Sequence, residues 1–590
     1  PFQDQWYAVG EDLYLASARG GVPLGHFFQA HNDHRIVPTR LLAFALFSWD
    51  RQWDVRLQMT VNALLAGALV FPLLALCRPW FPDPALVGVA ALMAWFYSLP
   101  VLYENALWGF QSQFYFLILF SLTHVVLVLG RTPFSAGWWL GLAAGAAAIL
   151  SMRSGLLAPA AVAMVAGWRA IREPGKKKEW APTLAAAVFP GLAGWALQPS
   201  RAAAAAGFDP GAFLHTVVHA LAFPQREFSA AGLLLWLPFA ALLGIRFFSR
   251  TIDRPERVLL AAGAWVLLQA FAMGYARPER GQVLANRYGE ILVVGLVVNL
   301  AAGACIHRWL EIRASAPTGV IRGKRFWQGA LIAFFAGWLA FAGWQARRDA
   351  QIFRSVLEPM MVSLRDEQVA RIRSFYHGNR AAITEAVYPH IPVIDAPSLV
   401  RDLGFPELAD VMPFELRNPI PLVFAEGGRP PLANAVPASL PNEPGALHRG
   451  TFFKDAGVTG TCDESSAPAV KHPGRRLLFK IAGDFKAGET ELQIRGAQGT
   501  AVVITDLKSD TLTPVIVPVP GDRFRVEIVD RSPARGIAFL EPVEIGPLSE
   551  MALRTLSGGR RVWQIGWLGL GLLGLLSVAT ALSSPSRRAV

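Results

Sequence analysis

The sequence predicts a polytopic α-helical membrane protein with a C-terminal α+β domain on its outer face, and three observations predict it. Of the 590 residues, 53% are hydrophobic, and the mean hydropathy is +0.36, which is typical of a chain that lies mostly in lipid. Eleven apolar runs approach the roughly 20 residues that a membrane-spanning helix needs. Between 489 and 530, apolar and polar residues alternate, as they do in half-buried strands.

The predicted spans lie at about 60–77, 85–102, 113–130, 134–151, 155–171, 180–198, 231–247, 257–274, 289–306, 327–344 and 562–581. The chain begins without Met, and its first residues, PFQDQW, are polar and aromatic. We therefore expect an upstream segment, and about twelve spans in the full protein.

The orientation follows from the charge of the short loops, because loops rich in Lys and Arg tend to stay in the cytoplasm. Three predicted loops are strongly basic and alternate in phase with the spans: 169–179, 246–257 and 307–326. The segments then expected on the outer face are 1–55, 103–112, 199–230, 275–288 and 345–560. We expect a multi-pass protein of a bacterial inner (cytoplasmic) membrane whose active site faces the periplasm or the outside. Topology explains the net charge of +12, so nucleic acid is not expected as a partner.

Three regions follow from this map. Residues 1–344 form a transmembrane domain with outer loops, 345–560 a soluble extracytoplasmic domain, and 561–590 a final transmembrane helix and cytoplasmic tail. In the soluble domain, apolar residues first recur at helical spacing, and residues from about 470 to 548 predict an antiparallel β-sandwich. That sandwich could bind carbohydrate or act as a packing module, and no aromatic stripe marks a sugar platform.

Cysteine and metal motifs add little. The outer domain has one cysteine, Cys462, so it cannot form a disulfide within itself, and CxxC pairs and an HExxH motif do not occur. No cofactor is predicted with certainty. A divalent metal ion remains possible, because carboxylates in outer loops could hold one or act without it.

Polar residues cluster on the predicted outer face, which is unusual in a chain with 17% charged residues. The stretch HNDHRIVPTR, residues 31–40, contains two histidines, an aspartate and two arginines. The other members of this group are Asp4, Glu11, Asp12, Glu104, Gln111, Arg277, Arg280, Arg287 and Tyr288. Such an array suits a reaction in which a carboxylate takes a proton from a hydroxyl while arginines hold a phosphate whose lipid tail stays in the bilayer.

These residues resemble a known family. The D-x-W of Asp4 and Trp6, the H-N-D-H-R of 31–35 with the later Arg40, the E-N-x-L-W-G-F-Q of 104–111 and the R-Y of 287–288 are similar to bacterial members of the GT-C glycosyltransferase superfamily. The resemblance covers about the first 345 residues by layout. It implies that 1–344 is the catalytic domain. It also implies a polyprenyl-phosphate-linked sugar as donor and a cell-envelope glycan or lipid as acceptor.

The resemblance also implies roles for individual residues. Asp4 matches the acidic residue that acts as general base for an inverting transfer, and Asp33 is the second candidate. Gln5 stands where relatives often carry a second acid. The residues expected to bind the donor phosphate are Arg287, Arg280, Arg35 and His34, and those expected to bind substrate are Glu11, Asp12, His31, Arg40, Glu104, Gln111 and Tyr288.

Each role has a structural alternative. Asp4 could cap a helix, and the 31–35 segment could be an interfacial turn that contacts lipid headgroups. Glu104 and Gln111 could be hydrogen-bonding residues at a helix end.

Two other function classes also stay open. A glycan ligase or polymerase has similar loops, and a transporter of lipid-linked sugars would carry ionisable groups at mid-membrane depth on several helices.

Overall fold

The structure is a computed structural model, and it describes residues 5–32, 34–97, 102–197, 208–224, 232–249, 252–276, 286–314, 324–376, 381–384, 404, 411–412, 414, 416–417, 419–424, 448–451, 462–472, 474–499, 501–519, 521–532 and 536–556. The chain divides into two compact units. The β unit comprises Pro1–Val22, Ala43–Leu57 and Pro359–Gly558. The membrane unit comprises Pro23–Leu42, Gln58–Glu358 and Gly559–Val590.

The α-helices, in chain order, are α1 Leu24–Phe28, α2 Val37–Asp50, α3 Val55–Ala68, α4 Val70–Cys77, α5 Asp83–Tyr97, α6 Tyr103–Leu107, α7 Ser112–Gly130, α8 Ala136–Ser151, α9 Leu157–Arg172, α10 Lys177–Leu197, α11 Pro210–Ala222, α12 Leu237–Phe247, α13 Arg254–Ala276, α14 Gly289–Ala314, α15 Lys324–Ile352, α16 Glu358–Tyr376 and α17 Pro547–Leu556. Trp6–Leu15 and Phe353–Leu357 are π-helical. Short 3₁₀ turns occupy Gly109–Gln111, Arg153–Leu156, Pro174–Lys176, Leu233–Trp236 and Asn286–Tyr288.

Within the described residues, six helices are long and apolar enough to cross a membrane: Val55–Cys77, Gly109–Gly130, Arg153–Arg172, Pro174–Leu197, Arg254–Ala276 and Asn286–Glu311. They confirm six of the predicted spans. The prediction of eleven full-length spans is too high for the described part of the chain. The runs at 85–102, 134–151 and 231–247 form shorter helices. The run at 327–344 lies within α15, and the run at 562–581 lies outside the described residues.

Two of these helices begin inside the predicted apolar run, at a residue that favours a helix start. A hydropathy average does not detect such a start. Ser135 caps α8, and its hydroxyl accepts a hydrogen bond from the Trp138 backbone N–H at 3.4 Å. Pro238 occupies the first turn of α12, after a 3₁₀ turn. Apolar residues before each start lengthen the run but not the α-helix.

Helix α11 lies in a segment that the sequence placed in an outer loop. The Asp209 carboxylate caps it by accepting from the backbone N–H groups of Gly211 and Ala212, both at 3.0 Å, and Pro210 begins the first turn. With 13 residues it is too short to cross a bilayer. Its buried face carries Thr216 and Val217.

The core of the membrane unit is built where small residues let helices approach closely. A β-carbon on Gly145 of α8 would lie 2.5 Å from the His124 ring of α7. His124 itself is fully buried, and its Nδ1 lies 2.9 Å from the Gly141 carbonyl oxygen. Small residues at such contacts are typical of helix packing in membranes.

The β unit contains the predicted sandwich region. Its strands are β3 His448–Gly450, β4 Cys462–Ser465, β5 Ala469–Val470, β6 Arg476–Lys486, β7 Thr490–Gly496, β8 Ala501–Ile504, β9 Asp506–Val517, β10 Arg523–Asp530 and β11 Ile537–Ile545, which follow the hairpin β1 Ala30–His31 and β2 His34–Arg35 of the membrane unit. All pairings are antiparallel.

The strands on either side of the β6–β7 hairpin contribute to one core. Strand β6 pairs with β11 and β9, whereas β7 pairs with β10 and β8. Strands β6 and β7 pair through Lys486 and Thr490. Buried side chains from both sides of the hairpin, Phe479, Ile481, Leu492, Val526 and Phe539, pack into the same cluster. The strands form one nine-stranded antiparallel sheet within the described residues, and the β-sandwich stays a prediction.

The N-terminal residues of the β unit pack with each other through aromatic rings. The ring centroids of Trp6 and Trp53 are 5.2 Å apart, and those of Tyr14 and Phe47 are 4.6 Å apart. The Trp53 backbone N–H donates to the Val411 carbonyl at 2.8 Å. Segments 5–22 and 43–57 therefore belong with the C-terminal β-rich part, although the sequence predicted a boundary at 344/345.

Candidate functional site

Four candidate residues of the membrane unit, Glu104, Gln111, Arg287 and Tyr288, lie where the segment 103–111 meets the start of α14. Helix α6 and the 3₁₀ turn Gly109–Gln111 form the first side. The turn Asn286–Tyr288 forms the second side and leads directly into α14. Both segments carry motifs that the sequence analysis selected.

Glu104 and Arg287 form an ion pair between these two segments. Glu104 Oε1 lies 2.9 Å from Arg287 Nη1, and Oε2 accepts from the Arg287 backbone N–H at 3.1 Å. The side chains are 21% and 25% exposed, respectively. The guanidinium also lies over the Tyr288 ring, 5.6 Å from its centroid. Arg287 is thus accessible, but it already has an anionic partner.

Asn105 anchors the same turn from a fully buried position. Its Nδ2 donates to the Arg287 carbonyl oxygen at 2.7 Å and also to a carboxylate oxygen of Glu290. Glu290, in the first turn of α14, is 1% exposed and accepts a hydrogen bond from Tyr115 of α7 at 3.4 Å. A buried carboxylate is tolerated only when hydrogen bonds satisfy it, so this pair is a structural anchor.

Asn62 of α3 holds the other side of the site. Its Nδ2 lies within hydrogen-bonding distance of three backbone carbonyl oxygens, at 3.5 Å from Asn105, 3.2 Å from Trp108 and 3.2 Å from Gly109. Asn62 is fully buried. One amide group thus shapes the backbone of the segment that presents Glu104.

Three more predicted substrate residues border this cluster. Gln111 is 3% exposed, and its Oε1 accepts from Gln113 Nε2 at 3.1 Å. The His31 ring packs edge-on against Phe110, with centroids 5.2 Å apart. Tyr288 packs in the same manner on Phe114 at 5.8 Å.

The arginines of the 31–40 segment bind main-chain oxygens. Arg35 donates through Nε to the Leu197 carbonyl at 2.8 Å, and through Nη1 to the Phe28 carbonyl. Arg40 is completely buried, and its Nη1 donates to the carbonyls of His26 and Gln29 at 2.7 and 2.8 Å. His34 lies on β2, in the same short hairpin as His31. In this structure the two guanidinium groups support local chain geometry.

The remaining candidates lie elsewhere. Glu11 and Asp12 lie in the π-helical segment of the β unit. Asp4, Asp33, Arg277 and Arg280 lie outside the described residues.

Sequence reasoning missed the buried polar residues that hold the site, Asn62, Asn105, Tyr115 and Glu290. Asn105 is part of the E-N-x-L-W-G-F-Q motif, so its position was a usable signal. Glu290 is a carboxylate inside the apolar run 289–306, and an ionisable group in such a run is a functional candidate by default.

No metal centre emerges within the described ranges. In that part of the chain, no group of three or more His, Cys, Asp or Glu side chains is placed to hold a metal ion. Cys77 and Cys305 are free thiols, both buried.

Comparisons with known proteins give limited information. No family model matches the sequence, and no curated protein matches it. Among solved structures, the chain is similar to the arabinosyltransferase EmbB from Mycobacterium smegmatis, with 14% sequence identity and a TM-score of 0.27. The match covers 92% of this chain and 64% of that chain. Two backbones with so low a TM-score do not superpose as one fold, so a function has to be inferred from the residues themselves.

Proposed function

We propose that the protein is a membrane glycosyltransferase that moves a sugar from a polyprenyl-phosphate donor to a cell-envelope glycan or lipid, with inversion at the anomeric carbon. One observation carries this proposal. Two segments with motif resemblance, 104–111 and 287–288, contact each other directly through Glu104 and Arg287, which are 183 positions apart in the sequence. A ligand at this place would meet both motifs at once.

The position of Arg287 suits a lipid-linked phosphate. Arg287 lies two residues before α14, and the helix Asn286–Glu311 is apolar enough to cross the bilayer. A polyprenyl chain is insoluble in water and stays among the lipid tails, so its phosphate must be bound at the end of a membrane span. A partly exposed guanidinium at that level can make two parallel hydrogen bonds to a phosphate.

The reaction also needs a base. A hydroxyl that attacks the anomeric carbon must lose its proton as the new bond forms, while polyprenyl phosphate leaves. We assign the base to Asp4, with Asp33 as the second candidate, on the motif resemblance alone. The guanidinium of Arg287 would stabilise the charge that develops on the leaving phosphate. We place this chemistry on the outer face of the membrane because of the charge bias of the loops.

Release of polyprenyl phosphate from a panel of polyprenyl-phosphate-linked hexoses and pentoses tests the proposal. The purified protein would be assayed in nanodiscs with envelope glycan extract as acceptor. Loss of a hydrogen bond to a charged group costs about 1.5–3 kcal/mol, so Arg287→Ala should lower kcat/KM for the donor by about 10- to 100-fold. Arg287→Lys should retain part of the activity, because it keeps the charge but not the paired geometry.

Arg308→Ala is the matched control. Arg308 lies on the same helix, is exposed, and donates to the Pro79 carbonyl at 3.0 Å, so its loss should leave donor use unchanged. If the wild type releases no polyprenyl phosphate from any donor, or if folded Arg287→Ala keeps normal kinetics, the proposal is wrong.

A further inference from the structure

We propose that Glu104 is a displaceable counter-ion of Arg287, which the phosphate of the lipid donor replaces when it binds. This inference rests on the proposed function and concerns the same site. It follows from the fact that the proposed phosphate ligand, Arg287, already has a carboxylate partner. The arginine that is best placed to bind a phosphate is already paired with a carboxylate at 2.9 Å.

The Arg287 backbone has a second anchor besides Glu104, whose Oε2 accepts from the Arg287 backbone N–H at 3.1 Å. Buried Asn105 holds the Arg287 carbonyl oxygen at 2.7 Å and is itself bonded to buried Glu290. Asn62 in turn binds the backbone carbonyl oxygens of Asn105 and Trp108. These contacts do not involve the Glu104 carboxylate, so its departure would break the hydrogen bond from the Arg287 backbone N–H but leave the Arg287 carbonyl oxygen held by Asn105.

The energies favour an exchange of partners. Both members of the Glu104–Arg287 pair are more than a fifth exposed, and ion pairs of that kind contribute about 0–1 kcal/mol. A hydrogen bond between a guanidinium and a phosphate is charge-assisted, and the phosphate can engage two N–H groups at once. The phosphate of a lipid held in the bilayer is also present at high local concentration. Glu104 is therefore a weak competitor for Arg287 and not a permanent partner.

A counter-ion role and a substrate-binding role of Glu104 predict opposite changes in donor affinity. If Glu104 bound the donor, its loss would weaken donor binding. If Glu104 competes with the donor phosphate, loss of its charge should strengthen binding. We expect Glu104→Gln and Glu104→Ala to bind undecaprenyl phosphate about two- to fivefold more tightly than the wild type, which is the range of a partly exposed ion pair.

The experiment measures the Kd of full-length protein for undecaprenyl phosphate in detergent micelles by microscale thermophoresis. Arg287→Ala should bind at least tenfold more weakly. The double variant Glu104→Gln/Arg287→Ala should bind like Arg287→Ala alone, because no arginine remains to be released. Glu179→Gln is the matched control, since Glu179 pairs with Arg169 at the same 2.9 Å at the start of α10, and its loss should leave the Kd unchanged.

The outcomes separate the two proposals. If the wild type binds undecaprenyl phosphate through Arg287 but both folded Glu104 variants bind equally or more weakly, the counter-ion inference is wrong and the proposed function stands. If neither the wild type nor the Glu104 variants bind, or if Arg287→Ala binds normally, the assignment of a lipid phosphate to this site fails with it. Thermal unfolding of each variant in the same detergent identifies those that are folded.

Discussion

Two arginines of the candidate set, Arg40 and Arg287, differ in exposure and in the groups that they contact. Arg40 is completely buried, and its guanidinium satisfies main-chain carbonyls near the end of α1. A charge in such a position is held for structure, because a buried guanidinium must have its donors satisfied. Arg287 is a quarter exposed and is paired with the Glu104 carboxylate, which is also partly exposed. In the sequence, both arginines lie in short polar motifs, so the sequence alone offers no reason to assign them different roles.

The catalytic base can be tested at the scale of single residues. Asparagine keeps the size of aspartate but cannot accept a proton, so Asp4→Asn should slow sugar transfer by about 100- to 10,000-fold. Binding of undecaprenyl phosphate should persist, because it depends on the arginine. Transfer rate and Kd would be measured on the same purified protein.

Asp33→Asn is the comparison for the runner-up base. Near-normal turnover in Asp4→Asn together with an inactive Asp33→Asn protein would move the base to Asp33. Full activity in both variants would contradict a mechanism with either carboxylate.

At the scale of elements, polar side chains from distant parts of the sequence decide where helices begin. The N-terminus of α17 has its cap nearly 500 residues away, on Asp50 of α2. The Asp50 carboxylate accepts from the backbone N–H groups of Leu548 at 2.7 Å and Ser549 at 3.1 Å, and from the Ser549 hydroxyl. Burial raises the pKa of the Asp50 carboxyl, and the hydrogen bonds from Ser549 and Leu548 oppose that rise. The cap ties two segments of the β unit together.

Removal of this cap should loosen α17. Loss of an N-cap typically costs about 1–2 kcal/mol, so hydrogen exchange in the peptide 547–556 should quicken by about 5- to 30-fold in Asp50→Ala. Asp50→Asn keeps one acceptor oxygen and buries no charge, so it should change exchange less. Because burial raises the pKa of the Asp50 carboxyl, the proton-linked part of the stability is fully present below its unfolded pKa and is lost as pH rises through the folded pKa, while the hydrogen bonds to the cap persist.

Asp209→Ala is the control for this experiment, since Asp209 caps α11 in the other unit through the same kind of contacts. It should quicken exchange in 210–222 and leave 547–556 unchanged. Unaltered exchange of 547–556 in Asp50→Ala would show that the cap contributes nothing to this helix.

At the scale of the whole molecule, the loops predict which side of the membrane each part faces. Lys177 is the first residue of α10, in the basic stretch 169–179 that the sequence predicts as a cytoplasmic loop, and Gly521 lies in the turn between β9 and β10. If the charge bias sets the orientation, cysteines placed at these two positions should react with a membrane-impermeant maleimide from opposite faces. Labelling in intact cells and in inverted vesicles would measure this. Reaction of both positions from the same side would overturn the map.

Much of the fold could be read from the sequence because hydropathy and alternation are local properties. Six membrane helices and the strands β7 to β10 lie where their patterns place them. Strand β11 shows no clear alternation, since eight of its nine residues are buried, so period two could not identify it. Nothing in the local sequence of segments 5–22 and 43–57 indicates that they belong to the β unit.

Part of the candidate site could likewise be predicted from the sequence, and part could not. The sequence by itself determined a membrane protein with a β-rich C-terminal part, and it selected Glu104 and Arg287 as residues with chemistry, because composition and motif are written along the chain. Only the tertiary structure decided that these two pair, that Asn62, Asn105 and Glu290 hold them, and that Arg35 and Arg40 bind carbonyl oxygens instead. The physical reason is that a charged group is defined by its partners and its exposure. Both depend on residues that may be nearly 200 positions away, as Glu104 is from Arg287.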